Sequence, residues 1–246
     1  MAKKTMKKTT KKISSKVASF IVMLIILAVC LIGINLFINM KEERLLIGEI
    51  SSINKLLNDP KYDQKKMDKK LSTYVTNGEY KTVEKAYKNY LKDNQKTVDE
   101  IIEYFKNDKT STLLTIDNIK NDGKEFKTSL ETLKKSKEQL TKLNKKFNEQ
   151  SEEKNVMKYL DKKDLSEYYI TFYKNQIARN ITESKSEKEL KKQLNFNLKL
   201  LDKVENMLNF LVKNGKYWNA DGDVIYFETD ELTKEYKKLL NDIKKI

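Results

Sequence analysis

The sequence of 246 residues contains no histidine, one cysteine, one proline and six glycines. Without histidine, Ser-His-Asp triads, Cys-His pairs and H-E-x-x-H zinc sites are excluded. The single cysteine, Cys30, allows neither an internal disulfide nor a thiolate metal site. The glycines never follow the spacing of the common phosphate-binding loops. We therefore expect no catalytic residues, no metal and no cofactor, and we predict that the protein is not an enzyme; a glycosidase that uses carboxylates alone is a lower-ranked alternative.

Arginine is also scarce, because only Arg44 and Arg179 accompany 48 lysines. The net charge of +14 at pH 7 would suit a nucleic-acid-binding protein. However, half of this excess lies in the first 40 residues, and the planar guanidinium that reads bases and phosphates is nearly missing. Nucleic acid is therefore an unfavoured partner.

An uncharged run from Val17 to Met40 takes a large share of the apolar residues. As a helix it would be about 36 Å long, which is enough to cross a hydrocarbon core of roughly 30 Å. Seven lysines and no acids precede the run, so the positive-inside rule predicts a cytoplasmic amino terminus and an extracytoplasmic remainder. Residues 17–40 are predicted to be a single-pass transmembrane signal anchor in the cell membrane.

Two other interpretations of this run are weaker. A cleaved signal peptide requires a small-residue cleavage site, and none follows the apolar residues. A lipoprotein requires a small residue before the modified cysteine, but Val29 precedes Cys30. The basic tail, residues 1–16, is also a candidate contact for anionic lipid. The lysines concerned are Lys3, Lys4, Lys7, Lys8, Lys11, Lys12 and Lys16.

Beyond the anchor, apolar residues recur at helical spacing almost throughout. We predict a helical stalk at 41–58 and an extracytoplasmic helical domain at 59–246. The fold class is mostly α, an elongated antiparallel helical bundle, and the stripe over 124–150 is narrow and typical of a coiled coil. Further helices are predicted over 80–105, 113–119, 155–182 and 186–212, with Ser186 and Glu189 as a capping box at the start of the last.

The last thirty residues, 216–246, have a different pattern. Aromatic and β-branched residues flank the turn Asp221-Gly222-Asp223, which predicts a small β-hairpin followed by a closing helix with Thr229 as its N-cap. The same turn resembles a damaged EF-hand loop, but Tyr217 stands where the first aspartate ligand belongs. The hairpin is the favoured interpretation.

Exposed aromatic residues would provide the candidate interaction surface. Aromatics at helical spacing usually belong to a core, but a cluster of them can also stack on a sugar or cage a quaternary ammonium group. The candidates are Tyr168, Tyr169, Phe172, Tyr173, Tyr217 and Trp218.

These features together favour a membrane-anchored, extracytoplasmic, non-catalytic helical bundle that binds another envelope protein or a wall polymer. Self-association is compatible with the stripes. The alternative is a small-ligand-sensing ectodomain that relays a signal through the stalk to a membrane partner.

Overall fold

The computed structural model describes residues 38–57, 59, 61 and 63–245. These residues are mostly helical with one small carboxyl-terminal hairpin, which confirms the predicted fold class at this level. The α-helices of the described residues are α1 (38–57), α2 (Gln64–Ser72), α3 (Gly78–Asn107), α4 (Ile116–Asp122), α5 (Lys127–Gln150), α6 (Glu153–Val156), α7 (Glu167–Phe172), α8 (Arg179–Glu183), α9 (Lys185–Lys213) and α10 (Asp230–Lys244). A π-helical segment, Tyr173–Ala178, joins α7 to α8. Short 3₁₀ turns lie at Thr110–Thr112 and Met157–Tyr159, and the hairpin comprises β1 (Trp218–Asp221) and β2 (Val224–Phe227).

The predicted anchor, 17–40, lies almost entirely outside the described residues, as does the basic tail. Its last three residues, 38–40, are described, and they lie in α1, whose described residues run from 38 to 57. Within the part of the chain that the structure describes, no helix has the length and hydropathy needed to cross a membrane. The predicted division into anchor, stalk and domain stays a prediction.

Contacts divide the chain into two compact units, 1–81 and 82–246. In the described part of the first unit, acidic residues of α1 hold the residues that follow it. The Glu42 carboxylate accepts a hydrogen bond of 2.7 Å from the Asn77 amide, and Glu49, which is buried, forms an ion pair with Lys70. Because later residues of α1 contact earlier residues of the following segment, the chain reverses direction between them.

In the second unit, α3 and α5 run antiparallel. The Thr97 hydroxyl donates to Gln150 Oε1 at 2.8 Å, and the Tyr104 and Ser136 hydroxyls lie 2.6 Å apart. Later residues of α3 therefore contact earlier residues of α5. This arrangement places the polar segment after α3 beside the middle of α5.

The pairing of α5 with α9 is antiparallel as well. Asn144 donates to Asn195 at 3.0 Å, and the Lys137 ammonium pairs with Asp202 and Glu205 about two to three turns further along α9. Between these polar contacts lies the main core, formed by the leucine and phenylalanine stripes that the sequence predicts. Lys137 interrupts the stripe of α5, and the two carboxylates of α9 explain how its charge is accommodated.

The hairpin docks on this core through Trp218. Its indole Nε1 donates to Leu211 O at 2.8 Å, a carbonyl in the last turn of α9. Carbonyls in the last turn of a helix lack partners within that helix, so this bond caps α9. The ring also packs at 6.0 Å from that of Phe126, and the Lys124 ammonium lies 5.0 Å from its centre.

Several predicted helix bounds are wrong, and α4 runs over Ile116–Asp122 where the sequence predicts 113–119. The N-cap of α9 is Ser184, whose hydroxyl accepts from the Glu187 amide at 3.2 Å, so the cap lies two residues before the predicted Ser186. The predicted helix over 155–182 is broken between Tyr159 and Glu167, where Asp164 adopts a positive φ of 59°. Thr229 caps α10 as predicted, accepting from the Leu232 amide.

Candidate functional site

An open cleft of about 870 Å³ lies in the second unit along α3 and α5. Because the two helices are antiparallel, the cleft is a groove between parallel walls with the 3₁₀ turn near one end. We call it the α3–α5 groove. Its lining is Lys96, Asp99, Glu100, Glu103, Tyr104, Asn107, Asp108, Lys109, Thr132, Lys135, Ser136, Gln139 and Leu143.

The floor of the groove is a hydrogen-bonded chain of buried hydroxyls. Tyr104 donates to Ser136 Oγ, and Ser136 donates to Asp108 Oδ1 at 3.0 Å. The Asp108 carboxylate also accepts from the amide and the hydroxyl of Thr110. Burial raises the pKa of Tyr104, so its phenol stays protonated and keeps donating. The floor is therefore internally satisfied and fixes the spacing of the two helices.

Charges of both signs line the groove walls. The lining contains Lys96, Lys109 and Lys135 as well as four carboxylates. Among these carboxylates, Glu100 pairs at 2.6 Å with Lys146 of α5, which lies outside the lining. On the α3 side, Asp99 is exposed, and on the α5 side Lys135 pairs with Glu131 of its own helix. A wall that carries carboxylates and ammonium groups suits a polar ligand with many donors and acceptors, such as a peptide backbone or a polysaccharide.

The groove was not predicted from the sequence, although one signal was present. In α5 the stripe residues Leu133 and Leu140 are buried and apolar, and Ser136 occupies the stripe position between them. A serine at such a position needs a polar partner, and Tyr104 with Asp108 provides it. The groove residues do not follow the spacing of any catalytic motif, so motif spacing does not reveal this site.

The structure brings four of the predicted interaction residues together but buries most of them. Tyr169, Phe172 and Tyr173 are buried, and only Tyr168 of this group is open, with 55% of its surface exposed. Its ring contacts those of Tyr169 and Phe172 at 5.1 and 6.4 Å. These aromatics therefore act mainly in packing, as aromatics at helical spacing usually do.

The other two predicted interaction residues lie at the hairpin, and again one is exposed while the other is buried. Tyr217 is 49% exposed, whereas Trp218 is buried against Phe126. Tyr217 directly precedes β1, and its carbonyl accepts from the Glu228 amide at 2.9 Å, so the hairpin pairing continues to it. Adjacent side chains in such a pairing point to opposite faces. The tail lysines proposed to contact lipid lie outside the described residues.

A second polar cluster surrounds Glu187 in the first turn of α9. Its Oε1 accepts from Asn94 at 3.3 Å and lies 3.5 Å from the Tyr90 hydroxyl, and Asn94 also donates to Tyr90 at 3.2 Å. The rings of Tyr90 and Tyr159 meet edge to face, and Tyr159 donates to Asp93 at 3.1 Å. The cluster joins α3, the second 3₁₀ turn and the start of α9.

Glu187 is the least satisfied member of this cluster. Its Oε2 is buried and has no hydrogen-bond partner among the described residues. Burial raises the pKa of the Glu187 carboxyl, against the opposing effect of Lys191 on the same helix. Burial likewise raises the pKa of Tyr90, and the Glu187 carboxylate adds to that shift. The cluster links α3, the second 3₁₀ turn and α9 through hydrogen bonds and ring contacts.

Neither a metal-binding arrangement in the described residues nor a similar known protein indicates a function. Over the described ranges, no group of three or more aspartate, glutamate or cysteine side chains is arranged to hold a metal ion. No protein-family model, curated protein or solved structure matches this chain.

Proposed function

We propose that this protein is a single-pass, extracytoplasmic helical bundle that binds another envelope protein or a wall polymer, and that the α3–α5 groove is the binding site. The observation that supports the proposal most is the groove itself: the polar groups of its floor are hydrogen-bonded to one another, and its lining carries both charges. An extended polar chain lying between two antiparallel helices would meet donors and acceptors along its length.

The location proposed for the bundle rests on the sequence. The run of 24 uncharged residues at 17–40 follows a tail with seven lysines, a pattern typical of an anchor whose amino terminus is cytoplasmic. The bundle then lies on the opposite side of the membrane, where envelope proteins and wall polymers are accessible. In this location the groove is accessible to such partners, and binding them is the proposed function without any enzymatic step.

Binding is favoured over catalysis by the hydrogen bonds of Ser136. A nucleophilic serine needs a base that takes its proton and an open approach to its oxygen. Here the Ser136 hydroxyl is buried, accepts a hydrogen bond from Tyr104 and donates one to Asp108. The Asp108 carboxylate also accepts a hydrogen bond from the Thr110 hydroxyl. The Ser136 hydroxyl therefore uses its hydrogen bonds within the floor of the groove.

Filling the groove should weaken partner binding strongly. The double variant Asp99→Arg/Gln139→Arg places two long cationic side chains on groove-lining positions, one on each wall. The matched control, Glu138→Arg/Gln193→Arg, makes the same change in charge at exposed positions outside the groove lining. After in-cell cross-linking and affinity capture, we expect at least about a tenfold loss of partner from the groove variant, equivalent to about 1.4 kcal/mol of binding free energy.

The control decides how the result is interpreted. Full recovery of the partner by the control and loss by the groove variant supports the proposed site. Equal recovery by both variants contradicts it, because the groove would then be dispensable. The absence of any captured partner above background from the unmodified protein contradicts the proposed interaction function as a whole.

A further inference from the structure

A second cleft, of about 480 Å³, lies within the first unit between α1 and the α2 region. It differs from the α3–α5 groove because its lining contains four lysines and only two acids. We call it the basic cavity. It is lined by Glu49, Ser52, Lys55, Leu56, Asp59, Lys66, Lys69, Lys70, Thr73 and Val75.

The lysines from α2 are held on one face. Lys66, Lys69 and Lys70 are three and four residues apart, so they share one side of the helix. Met67 and Leu71, on the other side, are buried. This burial fixes the rotation of α2 and therefore directs all three ammonium stems toward the same cleft.

Two of the four cavity lysines are already engaged. Lys70 pairs with Glu49, whose side chain is buried, and Lys66 lies 3.4 Å from Asp63. Neither Lys55 nor Lys69 forms an ion pair with any residue in the described ranges. The lining therefore presents uncompensated positive charge, with two ammonium groups available to a ligand.

The remaining lining residues indicate what that ligand carries. Ser52 has a hydroxyl that can donate to an anion oxygen, whereas the Thr73 hydroxyl donates to Lys69 O at 3.1 Å. Leu56 and Val75 add a small apolar surface. Lysine binds phosphate as a mobile point charge, and several lysines around one cleft suit a group with several charged oxygens. Because lysines outnumber acids in this lining, the cavity suits a ligand with several negatively charged oxygens.

We propose that the basic cavity binds a phosphate-bearing ligand through Lys55 and Lys69. The same chemistry occurs in a lipid headgroup and in a soluble phosphate polymer. If the anchor ends at Met40, as the proposed function has it, a straight helix places Lys55 about 22 Å beyond it. The headgroup layer is only about 5–8 Å thick on each side. The soluble source is therefore the one we expect.

The test titrates the full-length protein in nonionic detergent micelles with two probes by calorimetry. The soluble probe is inorganic polyphosphate of defined length, and the lipid probe is a short-chain phosphatidylglycerol. Lys55→Gln/Lys69→Gln should weaken polyphosphate binding about 3- to 30-fold, since each exposed ion pair contributes modestly. The control Lys234→Gln/Lys237→Gln removes the same charge from exposed positions on α10.

Each outcome bears directly on the cavity. A loss confined to the Lys55/Lys69 variant supports the site, and the probe that shows it identifies the source of the phosphate. Equal losses in both double variants would overturn the proposal, because net charge alone would then explain binding. Lack of binding of either probe to the unmodified protein would overturn it too. Neither result depends on which side of a membrane the bundle occupies.

Discussion

Replacing Phe126 by alanine should lower the free energy of unfolding by about 3–5 kcal/mol, the usual loss when a buried aromatic ring is removed. Phe126 is fully buried, and its ring packs against Trp218 where the hairpin meets the core. The substitution therefore leaves a cavity at the contact that docks the hairpin. Trp218 is the single tryptophan of the chain, so its fluorescence during chemical denaturation reports directly on this region.

Glycine at the same position distinguishes the loss of the ring from the strain of the backbone. Phe126 precedes α5 with φ 48° and ψ 36°, a left-handed conformation that costs a residue with a Cβ about 1–2 kcal/mol. Phe126→Gly relieves this cost and should be the more stable of the two variants. In an ordinary helix the order is the reverse, because glycine is about 1 kcal/mol less favourable than alanine. A glycine variant that is less stable than the alanine variant would contradict the left-handed conformation.

The second prediction concerns Glu187 and pH. Burial raises the folded-state pKa of its carboxyl, so the folded protein holds this proton more tightly than the unfolded chain does. The contribution of Glu187 to stability is therefore complete below the unfolded pKa and is lost as the pH rises through the folded pKa. Each unit of separation between the two pKa values is worth about 1.36 kcal/mol.

Glu187→Gln should remove this dependence, because the amide cannot ionise and retains an oxygen to accept from Asn94. We expect the stability of the unmodified protein relative to the variant to fall as the pH rises from 4 to 8. The pKa values of Asp93 and Asp122 are lowered, so their contributions change at a more acidic pH and remain in both proteins. Parallel stability curves for the two proteins would show that Glu187 is not held protonated by burial.

The sequence predicts most of the helices because their stabilisation comes from a periodic apolar face. The α9 stripe from Leu194 to Leu211 is one such face, and the structure buries it as predicted. The hairpin was predictable for a local reason too, since Gly222 adopts a positive φ of 51° in the turn. Patterns of this kind depend on neighbours in sequence and need no knowledge of the packing partner.

The errors arise where short polar motifs compete. Ser184 and Ser186 both precede a glutamate by three residues, so each offers a capping box, and Ser184 is the one used. The break after Tyr159 follows from Asp161, whose carboxylate accepts from the Lys163 amide and turns the chain. Helical periodicity continues on both sides of this turn, so the sequence pattern predicts one uninterrupted helix.

The candidate groove could not be predicted because its parts are far apart in the chain. Tyr104 and Ser136 are separated by 32 residues and meet only because α3 and α5 run antiparallel. Their residue types carry no catalytic or metal-binding signature. Only the serine within an apolar stripe indicated that a polar partner from another element was required.

The most direct test of the proposed function is the location of the bundle. Intact cells that express the protein with a carboxyl-terminal tag are treated with protease, and the tag is followed by immunoblotting alongside a cytoplasmic marker. An extracytoplasmic bundle anchored by residues 17–40 predicts loss of the tag while the marker stays intact. A tag that is protected until the cells are lysed would place the bundle in the cytosol and contradict the proposed function.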